Sequence, residues 1–301
     1  MSAKRSSSSP PAFLLERKAL VEDAIARHLP PRSAHAPELD DAIRYALSGS
    51  GKRVRPVLAF EAAELLKRPP ARVDFLAAAV EFIHSASLVL DDLPSMDDAA
   101  KRRGQPAVHA KFGEALAILA AIALLMRATE VIAQGCERNK VARDVAMDLI
   151  AMASATVGAD GMAAGQWADL AKMGAGASLT TIEFVHRRKT GRLFELSLRG
   201  SALLCGAHDA ELAALDAYGK NLGLAFQVKD DLLDVEGDAD ALGKPAGKDR
   251  EKTTFVDLAG LEPARALVRE LIATASDALG LFGKRADRLQ QLAVYVRDRD
   301  R

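Results

Sequence analysis

The sequence predicts an all-α fold, a single-domain bundle of roughly ten or more helices around a central apolar cavity. Apolar residues recur at three- and four-residue spacing through most of the 301 residues. No alternating run of β-branched residues is long enough for a sheet. Helix-breaking segments are short, and a hydrophobic fraction of 49% is enough for one sizeable core. In such bundles an elongated apolar space between helices is the usual place for a ligand.

The helical spacing is clearest in a series of separate segments. They cover residues 14–29, 38–47, 56–66, 73–92, 113–134, 143–158, 179–204 and 211–235. Proline pairs at 30–31 and 69–70 and glycine-containing stretches at 174–176 and 237–247 separate some of them. No linker divides the chain, so we expect one domain over residues 12–301. The serine-containing start, residues 1–11, is expected to be a disordered tail.

The composition excludes several classes of protein. The formal net charge is +0 and the pI is about 7.0, so no overall field favours nucleic acid or an anionic membrane. Cys136 and Cys205 have neither metal-site nor disulfide spacing, which fits a reducing cytoplasm. The longest apolar run, residues 115–126, is too short to span a bilayer. We therefore expect a cytoplasmic protein without a membrane span.

Two aspartate clusters stand inside otherwise apolar stretches. Carboxylates packed this closely repel one another and lose hydration when buried, whereas divalent cations resolve the conflict. Grouped hard oxygen ligands suit Mg²⁺, which usually shares its shell with substrate phosphates. The clusters are therefore expected to form two walls of one site; the alternative for either is a solvated acidic helix end. Their members are Asp91, Asp92 and Asp97 in the first and Asp230, Asp231 and Asp234 in the second.

Basic and polar groups that could hold a diphosphate accompany the clusters. In the first group, Lys52 and Arg55 follow glycines and precede a helix predicted to start at Pro56, and His84 lies two helical turns before Asp91. The alternatives are a basic helix cap and a satisfied core histidine. Further candidates, each of which could instead belong to a solvated charge run or loop, are Arg102, Arg103, Lys189 with Thr190, and Lys244.

Five motifs occur in the order found in one family. They are Gly-x-Gly-Lys-Arg-x-Arg-Pro at 49–56, Asp-Asp-x4-Asp with Arg-Arg-Gly at 91–104, Gly-Gln at 165–166, Lys-Thr-Gly at 189–191, and Phe-Gln-x-x-Asp-Asp-x-x-Asp at 226–234. Over residues 38–265 the chain resembles the trans-isoprenyl diphosphate synthases, or polyprenyl synthetases. Among them it looks most like the bacterial geranylgeranyl and farnesyl diphosphate synthases. The resemblance implies an isoprenoid-synthase-type helical fold and a homodimer.

The resemblance also implies a head-to-tail condensation of isopentenyl diphosphate with an allylic diphosphate (dimethylallyl, geranyl or farnesyl) that uses three Mg²⁺ ions. By the matching positions, Asp91, Asp97 and Asp230 would ligate Mg²⁺, supported by Asp92, Asp231 and Asp234. The allylic diphosphate would be held by Arg102, Lys189 and Lys244. Isopentenyl diphosphate would be held by Lys52, Arg55, His84 and Arg103. The reacting centre would be lined by Thr190, Gln166 and Gln227.

Departures from the family pattern bear on the product. The stretch 121–125 replaces a common Gly-Asp-Ala-Leu-Leu, and Ala99-Ala100 replaces an acidic pair. Farnesyl-producing members usually have an aromatic ring five residues before the first aspartate, where this chain has Ala86 followed by Ser87. We therefore expect the C20 product geranylgeranyl diphosphate, with C15 farnesyl diphosphate as the alternative. Less favoured alternatives are a class I terpene cyclase and a non-catalytic partner subunit.

Overall fold

The structure is a computed structural model, which describes residues 10–49, 51–171, 178–240 and 253–300. Residues 1–9 of the predicted tail and Lys244 lie outside the described residues. The predicted all-α class is confirmed, and the domain bounds stay a prediction. The longer helices are α1 Ala12–His28, α2 Pro37–Leu47, α3 Val54–Leu65, α4 Asp74–Asp91, α6 Glu114–Arg138, α7 Arg143–Val157, α8 Met162–Ala171, α10 Arg192–Cys205, α11 Asp209–Asp240, α13 Leu261–Ala278 and α14 Asp287–Asp298.

Shorter elements connect these helices. They are a 3-10 turn at Pro70–Arg72, α5 Val108–Phe112, α9 Leu179–Val185, a π-helical turn at His186–Gly191, α12 Phe255–Ala259 and a 3-10 segment at Gly280–Ala286. Within the described ranges the strands are limited to one hairpin, β1 Lys101–Arg102 paired antiparallel with β2 Gln105–Pro106.

The predicted helix over 179–204 is in fact three consecutive segments. Helix α9 passes into the π-turn His186–Gly191, which continues into α10. A π-turn inserts an extra residue into the helical repeat, a local change often found at functional sites. Periodicity over a long window does not detect one inserted residue. The third helix also begins earlier than predicted, at Val54 rather than Pro56.

Helix α4 forms the centre of the bundle. Phe75 and Phe82 on it are fully buried, as is Leu76. A Cβ on Gly135 of α6 would lie 2.2 Å from the Phe75 ring, so this glycine allows α6 to pack directly against α4. Fully burying each such phenylalanine contributes about 1.5–3 kcal/mol. The packing fixes the C-terminal end of α4, where the first aspartate cluster begins.

Two stretches, Glu114–Arg138 and Arg143–Ala171, are long and apolar enough to cross a membrane by length and composition alone. The core helix of a bundle has the same properties, and Ala121, Leu124 and Val131 of α6 are buried in the protein interior. The expected absence of a membrane span stays a prediction.

Candidate active site

The two aspartate clusters line one cavity of about 1320 Å³. Asp91 and Asp97 approach it from the end of α4 and the loop that follows, whereas the second cluster approaches it from α11. The structure thus brings together the two clusters that the sequence predicted to be opposite walls of one site. The members lining the cavity are Asp91, Asp97, Asp230, Asp231 and Asp234.

The first cluster owes its shape to the end of α4. The helix stops at Asp91, before Pro94, whose ring is incompatible with a continuing helix. The loop then folds back, and the backbone N–H of Asp97 donates to the carbonyl of Asp91 at 2.9 Å. This turn places Asp97 next to Asp91. Burial raises the pKa of Asp91, and the nearby Lys189 ammonium opposes that rise.

Cations hold the first cluster in place. Lys189 Nζ lies 3.5 Å from Asp91 Oδ2 and 3.0 Å from Asp169 Oδ2. Arg102, presented by the β1–β2 hairpin, donates from Nε to both oxygens of Asp92, at 2.9 and 3.2 Å. Asp92 is buried and absent from the cavity lining. Its position fits the supporting role that the resemblance implied, since it orients Arg102 towards the cavity that Arg102 lines.

The second cluster is held by partners that the sequence analysis missed. Asp230 Oδ1 accepts from Arg299 Nη2 at 2.6 Å, and the same nitrogen donates to the Phe226 carbonyl at 2.9 Å. Asp231 Oδ2 lies 3.4 Å from His186 Nε2 and accepts from the backbone N–H of Phe255 at 3.0 Å. Burial raises the pKa of Asp231 to about 6.

No spacing rule links Arg299 to a cluster on another helix, because the contact is purely tertiary. Asp169 was missed as well. Its signal was weaker than that of the clusters, because it is a single carboxylate on a helix with no other charged residue.

A second group of cations lies beside the cavity, around the start of α3. Arg55 lines the cavity, is packed 5.2 and 5.7 Å from the centres of the Phe194 and Phe226 rings, and has Nη1 3.4 Å from His84 Nε2. Burial lowers the pKa of Arg55 to about 10, which leaves it charged at neutral pH. Burial, reinforced by Arg55, lowers the pKa of His84 well below its usual value, so its imidazole is neutral.

Three neighbouring cations face in different directions. Lys52 lies 5.6 Å from the Tyr295 ring centre, and neither Lys52 nor Arg103 is among the residues lining the cavity. A Cβ on Gly51 would lie 2.5 Å from Arg103 Nη1, so glycine at this position admits the guanidinium. Arg53 turns inward and pairs with Glu81 and, at 2.9 Å, with Glu22. It therefore orders the loop.

Two of the three polar side chains of the predicted reacting centre are in contact. The Thr190 hydroxyl donates to Gln227 Oε1 at 2.8 Å, joining the π-turn to α11. A Cβ on Gly223 would lie 3.1 Å from Gly191 Cα, so the backbones of α11 and the π-turn approach closely at these two glycines. Gln166 Nε2 lies 3.6 Å from Met96 Sδ in the loop of the first cluster. All three polar side chains line the cavity.

The carboxylates fit Mg²⁺ shared with a diphosphate better than a protein-only metal cage. Within the described part of the chain, no three His, Cys, Asp or Glu side chains are close enough to hold an ion by themselves. The donor set consists of hard carboxylate oxygens, and cationic side chains neutralise Asp91 and Asp230 from inside the same region. Mg²⁺ keeps several waters and is commonly completed by substrate phosphates. The residues present therefore fit this ion.

Residues 36–280 match the family described as Polyprenyl synthetase. The chain belongs to this family. It is 40% identical to the farnesyl diphosphate synthase of Geobacillus stearothermophilus over 255 residues, which is 84% of this chain and 85% of that protein. It is 37% identical to the geranylgeranyl diphosphate synthase of Cyanophora paradoxa over 291 residues, covering 96% of each.

A solved structure supports the same assignment. The apo structure of a FPP/GFPP synthase from Zymomonas mobilis superimposes with a TM-score of 0.83 at 33% identity, covering 94% of this chain and 99% of that one. The isoprenoid-synthase-type fold predicted from the motifs is therefore confirmed, and the protein is a prenyltransferase of this family. The relatives are named for C15 and C20 products, so the family assignment leaves the chain length open.

Proposed function

We propose that this prenyl synthase condenses isopentenyl diphosphate with allylic diphosphates to give geranylgeranyl diphosphate as its main product. The observation that carries the proposal is the lining of the cavity. From the charged mouth it continues along α4 past Ser87 and Ile83 to Leu125 and Val157 on facing helices. Among the described residues that line it, Trp167 at the rim is the one Phe, Tyr or Trp side chain. Within the described lining, no Phe, Tyr or Trp ring therefore closes the apolar part.

We propose that chain length depends on Ser87 and Ile83 rather than on Ala86, the position that the resemblance singled out. Ala86 is fully buried but is not among the residues lining the cavity, whereas Ser87 and Ile83 are. These two positions lie four residues apart on one face of α4, or about 6 Å along the axis, which is close to the length of one isoprene unit. A prenyl chain that extends past Ser87 towards Ile83 therefore has room for the additional isoprene unit that distinguishes C20 from C15.

We assign the diphosphate groups to the charged end of the cavity. Lys189 and Arg102 face the allylic diphosphate, a role that Lys244 shares by resemblance. Arg55 and His84, with Lys52 and Arg103 beside them, hold isopentenyl diphosphate. Mg²⁺, with three ions expected, would be held by Asp91, Asp97 and Asp230 and would neutralise charge on the leaving diphosphate. Asp92, Asp231 and Asp234 support these ligands.

The reaction then follows from position and polarity. The allylic C–O bond breaks with its electron pair on the departing pyrophosphate, whose charge Lys189 and Arg102 stabilise. The oxygens of Thr190, Gln227 and Gln166 face the resulting cation. The double bond of isopentenyl diphosphate attacks it, and pyrophosphate accepts the proton released from the adduct. No protein base is required.

The alternative products and roles are separated by specific features. A farnesyl diphosphate synthase would need the channel closed near Ser87, where the described lining has no Phe, Tyr or Trp side chain. A terpene cyclase would normally carry an Asn/Asp-x-x-Ser/Thr-x-x-x-Glu motif in place of residues 230–234. A non-catalytic partner subunit would tend to lose aspartates that are complete here.

We also propose a homodimer. Helix α6 carries a stripe of exposed apolar side chains, Leu119, Ile122 and Met126, that are 50%, 50% and 62% exposed. Met147 on the adjacent α7 is 58% exposed. An apolar surface continued across two packed helices is typical of a subunit interface.

A product assay tests the function. Purified protein is incubated with Mg²⁺, isopentenyl diphosphate in excess and either dimethylallyl, geranyl or farnesyl diphosphate. Pyrophosphate release and the chain length of dephosphorylated products are then measured, with EDTA as the control. We expect Mg²⁺-dependent accumulation of C20. Accumulation of C15 alone would contradict the chain-length proposal, and a cyclic hydrocarbon formed without isopentenyl diphosphate would support a cyclase.

A further inference from the structure

Trp167 is the chain's single tryptophan, and it stands at the rim of the active-site cavity. Its side chain is 70% exposed, the highest value among the exposed large apolar residues in the described part of the chain. Tryptophan commonly buries a large area in folded proteins. An exposed indole on the lip of a ligand cavity therefore indicates a surface that a ligand covers.

The neighbours of Trp167 fix its position relative to the reacting groups. Gly165 lies flush against the π-turn, since a Cβ there would be 2.4 Å from the backbone nitrogen of Lys189. Gln166 contacts Met96 in the loop of the first aspartate cluster, and Asp169 pairs with Lys189 at 3.0 Å. The segment that carries the indole therefore contacts the loop of the first aspartate cluster and the π-turn with Lys189, which lie on two sides of the proposed allylic diphosphate site.

We propose that the indole of Trp167 covers the allylic chain of the bound diphosphate and keeps water from the reacting carbon. The inference rests on the proposed prenyl-transfer function and adds a specific residue to it. An indole face is apolar enough to pack on an isoprenoid chain and attracts a neighbouring cation. Within the described lining, Trp167 supplies the one large aromatic surface.

The reaction that the Trp167 indole would prevent is capture of the carbocation by water. After the allylic C–O bond breaks, the carbocation forms a new bond either to the alkene carbon of isopentenyl diphosphate or to a water oxygen. Capture by water gives a prenyl alcohol, and the proton passes to pyrophosphate. Excluding water from the cation therefore favours condensation over hydrolysis. Loss of the indole should change this ratio more than it changes substrate binding.

Fluorescence gives a test that is independent of turnover. Because Trp167 is the chain's single tryptophan, selective excitation reports on this side chain alone. With Mg²⁺ and geranyl S-thiolodiphosphate, which resists ionisation, we expect a blue-shifted emission and at least about threefold less quenching by acrylamide. Mg²⁺ with inorganic pyrophosphate, which lacks the chain, should leave quenching nearly unchanged.

Two fluorescence outcomes would overturn the proposal. One is unchanged quenching at thiolodiphosphate concentrations that fully inhibit turnover. The other is an indole already protected without ligand and exposed on dilution, which would show that a second subunit covers it.

The second test measures how much geranyl diphosphate is hydrolysed to geraniol and how much is condensed to longer prenyl diphosphates. Trp167→Ala should raise the fraction released as geraniol about tenfold relative to longer prenyl diphosphates. Trp167→Phe, which keeps an aromatic face, should remain near wild type. Leu281→Ala is the matched control, because Leu281 is an apolar side chain 52% exposed and outside the cavity lining. An unchanged alcohol fraction in Trp167→Ala contradicts the inference, whereas a wild type that makes no longer prenyl diphosphate contradicts the proposed function instead.

Discussion

At the scale of single residues, the site is organised by cations that neutralise its carboxylates. Lys189 pairs with Asp91, and Arg299 pairs with Asp230. Like charges concentrated in a partly buried site require such partners. On the proposed function, the same cations release these carboxylates in part when Mg²⁺ and a diphosphate bind. Mg²⁺ therefore replaces cationic side chains as the partner of these carboxylates, which are already neutralised before it binds.

Arg299→Ala tests this exchange. Removing the guanidinium frees Asp230 from a competing cation, so Mg²⁺ should bind the substrate-free protein about three- to tenfold more tightly. Calorimetric titration with Mg²⁺ measures the change. Arg297→Ala is a suitable control, since Arg297 is a neighbouring cation paired with Asp298. Equal or weaker Mg²⁺ binding by Arg299→Ala would argue against competition at Asp230.

The buried ion pair between Arg53 and Glu81 predicts an effect on the stability of the fold. The Arg53 side chain is 2% exposed and pairs with Glu81, which is equally buried. Arg53→Ala leaves a buried carboxylate without its main partner and should destabilise the fold by about 3–5 kcal/mol. Denaturant unfolding measures the loss. The control is Arg32→Ala, which removes an exposed ion pair with Asp41 and should cost less than about 1 kcal/mol. Similar losses for both variants would show that the Arg53 network is not structural.

At the scale of elements, helix existence was predictable and local irregularity was not. The strong apolar period predicted α4 and α11, and the predicted segment 73–92 ends within one residue of the observed end of α4 at Asp91. The π-turn escaped detection because one inserted residue barely changes the period of a long window. The shorter α12 was missed because a few residues carry little periodic signal.

In the candidate site, too, some residues could be predicted from the sequence and others could not. The acidic clusters and the Lys-Thr-Gly motif were visible because several functional groups lie close in sequence. Arg299 and His186, which position Asp230 and Asp231, were not, because their contacts join distant elements. The face of α4 that lines the cavity follows from Asp91 by helical spacing, since Ser87 lies four residues and His84 seven residues before it. The sequence directed attention to Ala86, whereas Ser87 lies on the cavity side.

Ser87→Phe tests the role of this face of α4. A phenyl ring at this position should fill the channel below the first isoprene units and shift the main product from C20 to C15. Chromatography of dephosphorylated products measures the shift. Ser87→Ala is the control, because it removes the hydroxyl that donates to the His84 carbonyl at 2.9 Å without adding volume. Retention of C20 by Ser87→Phe would place the channel elsewhere.

At the scale of the whole molecule, the apolar stripe on α6 predicts assembly. Light scattering at micromolar concentration should give a mass near twice the 32.1 kDa of one chain. Ile122→Asp places a charge in the middle of this stripe and should shift the protein towards monomer, since burying an unpaired carboxylate is unfavourable. Leu281→Asp, an exposed apolar site on another element, should leave the mass unchanged. A wild-type mass near that of a single chain would contradict the dimer.

Two aspartate clusters on different helices are proposed to form one Mg²⁺-dependent diphosphate site. Condensation rates of Asp91→Asn and Asp230→Asn test this site, with Asp98→Asn as the control. Asp98 is an exposed carboxylate next to the first cluster that does not line the cavity, and asparagine tolerates its left-handed φ of 47°.

Loss of either ligand removes charge stabilisation that is strongest in the transition state, so turnover with saturating Mg²⁺ should fall at least about 100-fold. Asp98→Asn should remain within about twofold of wild type. EDTA should abolish the activity of the wild type. Near-normal turnover by either cluster variant, or by wild type in EDTA, would contradict the account.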